Sequence, residues 1–257
     1  MFTYPARRRR RRRRRWRRRR RLAVLLAVIT VAAVATQQLA RPHPAGPSQT
    51  ATAPAASRAH QHAHRAAKPP KARKPSTEPS ITWTDFHGIQ LPVSAEAGPH
   101  YRRRGLAGGF TDTPLGAVLA AVNIAVRTAA QWGPPIYRPT INHQVTGPAA
   151  ATLLAADRSD YAALRAAAHV APGQPAGRGY AVEAAYRLAA YTPSAATADI
   201  VSEGPAGNGT TAIAVTRIQV VWLRGDWRVV APPGGTWASS ATTVSSLHGY
   251  TAFPNQR

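Results

Sequence analysis

The 257-residue sequence predicts an α+β domain carried behind a membrane helix and a disordered linker. Three observations lead there. The apolar period changes from 3.6 to 2 near residue 180, so helices come first and four hairpin-joined strands follow. That order excludes a doubly wound sheet, which needs alternating strands and helices. Charge is gathered at one end: of the formal +24, residues 1–40 carry +14, residues 41–80 carry +6 and residues 81–257 only +4. The foldable part is nearly balanced, which excludes a basic, nucleic-acid-binding globular domain. The chain has no cysteine, which removes disulfide frameworks, zinc ribbons, iron–sulfur clusters and thiol nucleophiles together.

Residues 1–21 read as a cytoplasmic tail, an arginine run from Arg7 to Arg21 broken only by Trp16. Such a run sets topology, and at its inner end Arg17, Arg18, Arg19, Arg20 and Arg21 can hold anionic lipid at about 1 kcal/mol each. Nucleic-acid phosphates would meet the same side chains, and only these. Residues 22–40 read as the membrane helix. The uncharged core Leu22–Ala35 gives roughly 21 Å of helix, and extension to Ala40 gives about 28 Å, close to a bilayer core of about 30 Å. Ala33-Val34-Ala35 also fits a signal cleavage site. Retained anchor and cleaved signal both place residues 41–257 outside the cytoplasm.

Residues 41–80 hold eight Pro, ten Ala and four His but no Val, Ile, Leu or Met. Nothing there can bury a core, so they read as a disordered tether. His60, His62 and His64 in it have no carboxylate to orient them and are read as solvated rather than metal-binding. Residues 81–110 form an extended lead-in, with Ile89–Ser94 its clearest strand. Residues 111–235 form the folded domain. Thr113 and Pro114 are an N-cap and a first-turn proline, and Leu115, Val118, Leu119, Val122 and Val126 share one helical stripe over 114–131. Gly133-Pro134-Pro135 stops that helix. Short helices follow at 140–145, 148–156 and 159–168. Alternation from Tyr180 to Leu188 marks the first strand, 196–203 the second and 210–223 the third. A tight turn at Gly225-Asp226 leads into the fourth, 226–231. Residues 236–257 read as an irregular tail.

Gly109–Thr113 with Pro114 and Gly116, then Trp222, Gly225 and Trp227 in VVWLRGDWRVV, give the domain two recognisable strings. The long helix 114–131 and the second string resemble the nuclear-transport-factor-2-like superfamily, which implies a cone: the long helix and shorter ones packed on a curved four-stranded antiparallel sheet. The first string, from Gly109 to Ala117 with Asn123 and Arg127-Thr128, together with Ala231–Gly235 and Trp237, is similar to an uncharacterised family of membrane-anchored actinobacterial proteins often encoded near conjugation genes. The layout resembles inner-membrane scaffold subunits of conjugative type IV secretion systems. That resemblance implies a structural role, with envelope or conjugation-apparatus proteins, or a second copy, as partners. The polyarginine block departs from it.

No catalytic, cofactor or metal site is read from the sequence. Asp157, Asp160, His143, Tyr137 and Glu183 are the acid–base candidates, but no nucleophile–base pair or metal triad stands at a working spacing. Asp157 and Asp160 fall where one helix ends and the next begins, a capping position. Asn123 and Arg127, four apart on the long helix, are neighbours. They read as a structural polar pair tied to Glu183 or Asp199, with the lining of a small-ligand or enzyme cavity as the alternative. An envelope role unrelated to transfer is a further one.

The charge order fixes a topology. A reporter fused after Arg257 that works only outside the cytoplasm should be active, and activity of a cytoplasm-only reporter there would overturn this reading.

Overall fold

The computed structural model describes residues 80–206 and 209–254. The Arg17–Arg21 contacts, the expected membrane helix and the linker up to residue 79 lie outside the described residues. No helix among the described residues is long and apolar enough to cross a membrane.

The chain opens with two small hairpins, β1 (Thr82–Phe86) with β2 (Ile89–Val93), and β3 (Tyr101–Arg103) with β4 (Leu106–Gly108). Helices α1 (Pro114–Arg127), α2 (Pro134–Gln144) and α3 (Ala150–Ala168) follow, with a two-residue strand β5 (Val145–Thr146) between the last two. Four long strands come next: β6 (Val182–Thr192), β7 (Ala195–Pro205), β8 (Thr211–Leu223) and β9 (Asp226–Val230). The tail adds β10 (Ala241–Val244) and β11 (Thr251–Ala252). Strands β5 to β11 form one sheet in the order β11-β6-β7-β8-β9-β5, antiparallel except where β5 meets β9. One edge of β8 is shared. Trp222 and Leu223 face β9, while Ile213–Thr216 face β10.

This corrects the four-stranded cone expected from the nuclear-transport-factor-2-like resemblance. The fold is mixed α+β, but its sheet has seven strands; α1 packs on it, while α3 packs on α2 and the neighbouring turns. The physical reason is that β5, β10 and β11 are only two to four residues long, too short for a period to show, and gain their order by pairing with long neighbours. The tail is therefore not irregular, and it feeds Phe253 into the core.

The first helix starts where its sequence says. The hydroxyl of Thr113 accepts from the Gly116 amide at 3.1 Å, with Pro114 at the first turn. Gly116 is required by a close approach, since a Cβ there would sit 2.1 Å from the Thr111 carbonyl. The helix ends at Arg127, earlier than the apolar stripe suggests. Nearly every residue from Gly116 to Ile124 is buried, which fits a helix apolar on all sides. The sheet covers one side, and β2 and β4 touch it as well. Gly133-Pro134-Pro135 does not stop this helix; it follows a 3-10 turn at Ala130–Trp132 and begins the next helix, because proline is tolerated in a first turn. The expected break after Ala156 does not occur. Asp157 sits inside one continuous α3, with Leu153 and Tyr161 on the buried face, and is no cap.

Three hairpins use one device. His87-Gly88, Arg104-Gly105 and Arg224-Gly225 each place two positive-φ residues between paired strand ends, as a mirror-image turn matched to strand twist demands. The last turn is thus Arg224-Gly225, and Asp226 belongs to β9. That shift frees its carboxylate to reach back. Asp226 accepts from the amides of Gly109 at 2.9 Å, Phe110 at 3.1 Å and Trp227 at 2.9 Å. The Trp227 indole N–H donates to the Thr111 carbonyl at 2.8 Å, and its ring meets Trp222 edge-on at 5.3 Å. The two ends of the described chain also meet: Trp83 donates to the Pro254 carbonyl at 3.0 Å and packs on Phe253.

Removing the Asp226 carboxylate strands two amides in the lead into α1, those of Gly109 and Phe110, and the Trp227 amide on β9. Asp226→Ala should cost about 3–5 kcal/mol in chemical denaturation. A loss below about 1 kcal/mol would show that the lead into α1 is held elsewhere.

Candidate functional site

The sheet presents a different chemistry on each face, and a register slip decides which residue goes where. Along β6 the pairing with β7 shifts between Glu183 and Ala185. The extra residue, Ala184, makes a bulge and reverses the alternation beyond it. Glu183 therefore turns to the α1 side with Tyr186, rather than to the polar face with Arg187. The Ala184 carbonyl accepts from the Phe253 amide at 3.0 Å.

On the α1 side, Val122, Ala125 and Val126 stand off from β6–β8 and leave a cavity of about 130 Å³. Glu183 and Ser202, opposite one another across β6 and β7, are its polar wall, and Trp132 and Trp237 help close it. Glu183 accepts from the Ser202 hydroxyl at 2.8 Å. Burial pushes its carboxyl up to about 7, and the Ser202 bond pulls only weakly the other way. A carboxyl so placed can hold or release a proton near neutrality.

On the opposite face, Arg187, Asp199 and Arg217 lie in one row across β6, β7 and β8. Arg187 donates from Nε and Nη2 to Asp199 Oδ2 at 3.2 and 2.7 Å. Arg217 donates from Nε to Oδ1 at 2.7 Å and from Nη2 to Oδ2 at 3.0 Å. Burial favours the neutral acid, but the bonds from Arg217 and Arg187 outweigh it and hold Asp199 below the usual carboxylate range. The row floors a cleft of about 480 Å³, walled by Gln219, Thr242 and Tyr250 where β9 and β10 diverge along β8. Arg187 lies over the Tyr250 ring at 4.9 Å. The outer faces of the two guanidiniums and the cleft hydroxyls suit an oxygen-rich group.

Trp237 is the common wall. It lines both cavities and a third groove beside α3, and its indole N–H is committed to the Thr128 hydroxyl at 2.8 Å.

The expected polar pair is present in the core, but its partner is not a carboxylate. Asn123 donates to the carbonyls of Pro92 at 2.9 Å and Leu119 at 3.0 Å. Arg127 Nη1 donates to the Asn123 carbonyl at 2.7 Å and to its Oδ1 at 3.1 Å, with the Phe86 ring 4.3 Å away. Asp199 is taken by its two arginines across the sheet, so the link runs from helix to the β1–β2 hairpin instead. Burial and the nearby Arg102 lower the Arg127 guanidinium to about 10. His143 is exposed and Tyr137 is buried away from both cavities. Among the described residues no group of three or more His, Cys, Asp or Glu is placed to hold a metal ion. The Arg187–Asp199–Arg217 row was missed by sequence reasoning. Its signal was there, since facing hairpin positions at 187, 199 and 217 carry alternating charge.

Fold and site together define a helix-backed domain on a forked sheet, with clefts gathered around one tryptophan. By sequence, the chain belongs to the family described as Domain of unknown function (DUF8175), which matches residues 42–252. No curated protein and no solved structure matches the chain.

The two raised carboxyls set a pH dependence. Glu183 and Asp157 rise from 4.5 and 3.8 to about 7 on folding. Between those values the folded chain holds protons that the unfolded chain has lost, so the stability these two groups contribute is greatest below about 4 and is lost as pH rises through about 7. Glu183→Gln should therefore gain roughly 2–3 kcal/mol at pH 8 and nothing at pH 4. Thermal melts rising from pH 5 to pH 8 would contradict the burial of both groups.

Proposed function

We propose that this chain is a membrane-tethered, non-enzymatic assembly component. Its sheet domain works outside the cytoplasm through protein contacts, as a scaffold component of a conjugative, type IV secretion-like transfer apparatus. One observation carries the topology: fourteen arginines stand directly before the uncharged stretch Leu22–Ala35, and the core-less residues 41–80 separate both from the domain. Arg17–Arg21 would meet anionic lipid on the inner side. The transfer role is supported by the resemblance of Gly109–Ala117, Asn123, Arg127-Thr128, Ala231–Gly235 and Trp237 to an uncharacterised membrane-anchored family often encoded near conjugation genes. In the fold two parts of that pattern meet, because Trp237 donates to the Thr128 hydroxyl.

A second reading is favoured by a separate observation. The cavity beneath α1 is lined mainly by apolar side chains and carries a single buried carboxyl–hydroxyl pair, an arrangement that orients small molecules. Crosslinking of the full chain in its native membrane separates the readings. A transfer ATPase or another envelope subunit of such an apparatus should be recovered. Recovery of lipid and wall material alone would overturn the transfer role. A folded Glu183→Gln chain that keeps its crosslinks but loses a bound small molecule would establish the second reading.

A further inference from the structure

The third groove around Trp237 contains, among the described residues, a buried side-chain oxygen without a hydrogen-bond partner. It runs between α3 and the Gly235–Trp237 segment, has a volume of about 300 Å³, and is lined by Asp157, Asp160, Gln131, Leu153, Leu164 and Trp237 among others. Asp157 is only 8 % exposed, and its Oδ2 has neither solvent nor a hydrogen-bond partner. Buried polar atoms are satisfied in nearly all native structures, so an orphaned carboxylate oxygen points to a missing partner. Asp160, one turn further along the same face, adds a second acid to the groove, and it is exposed. Neither the proposed scaffold role nor the cavity beneath α1 uses this pair.

We propose that this groove binds an organic ammonium cation on a short apolar stem, with Asp157 and Asp160 as its counter-charges and Trp237 as its aromatic wall. Two carboxylates and a side-chain amide offer too few oxygens for a calcium-type site. An ammonium needs only a few acceptors and gains further from an indole face. The Trp237 N–H already serves Thr128, so the ring face is what remains for a ligand. Leu153 and Leu164 suit a hydrocarbon stem, and Gln131 supplies a neutral acceptor. Burial, with Asp160 beside it, pushes the Asp157 carboxyl up to about 7. An ammonium in the groove answers both causes, since it brings opposite charge and lies between the two acids. A free amine and a lysine of a protein partner share this chemistry.

Calorimetry on the detergent-solubilised full chain at pH 8 tests the site, with n-butylammonium, neutral 1-butanol and a capped Gly-Lys-Gly peptide as probes. Butylammonium should bind at least tenfold more tightly than butanol. Asp160→Asn, a surface change that leaves the fold alone, should weaken it at least threefold, and Asp157→Asn should abolish it while the melting temperature stays level or rises. Tighter binding of the peptide than of butylammonium assigns the cation to a protein lysine, and the reverse order to a free amine. Equal binding of butanol and butylammonium, or full affinity in Asp160→Asn, would overturn the proposal.

Discussion

The carboxylate of Asp226 is the joint on which the architecture turns. It stands at the first position of β9, yet its acceptors serve the segment leading into α1, more than a hundred residues earlier. The helix meets the sheet at a fixed place because its lead-in is bonded to the hairpin end, and the Trp227 indole repeats the tie one residue later. A two-residue mirror-image turn makes this geometry available. With Arg224 and Gly225 both at positive φ, β9 starts at once and Asp226 points back along the chain.

With that joint set, the small residues of α1 let the helix sit deep. Ala117, Ala120 and Ala121 are fully buried, so backbone packs close to backbone. The side away from the sheet still needs a lid, and the first two hairpins provide it through Leu91 and Ala107. Asn123 binds this lid by the Pro92 carbonyl. Gln144 does the same from α2, its amide pairing with the carbonyl and N–H of Ala107 as another strand would. Asn123 and Gln144 thus hold layers in register rather than reach a cavity.

How much of this could be read in advance depended on length and on regularity. The N-cap at Thr113, the stripe on α1 and the long strands from β6 to β9 declare themselves because each carries many repeats of its own period. The failures lie where one residue breaks the rule. Ala184 inserts a bulge that carries Glu183 inside, where unbroken alternation would set it on the same face as Arg187. Polar Asp157 to Asp160 looks like a gap between helices, but Asp157 belongs to the buried stripe with Leu153 and Tyr161. The strands β5, β10 and β11 owe their existence to partners far away in sequence. The sites suffered most. Asn123 and Arg127 could be paired by spacing, whereas Asp199 finds its arginines only through strand register, and Trp237 finds its clefts only through the tail.

The meeting of Trp83 with Phe253 and Pro254 has a mechanical consequence. Tension applied through the residues before Ser80 reaches β1 at Thr82, the end farthest from its turn, where Thr82 faces Val93. Antiparallel strands pulled from their open end separate rung by rung, the weakest way to load a hairpin. Trp83 sits at the second rung and is clasped by Phe253 and Pro254, which follow directly on the Thr251–Ala252 pairing to β6. A pull on the chain's leading end is therefore passed to the edge of the large sheet before the small hairpin can peel. The domain takes up strain at one corner, beside Pro254.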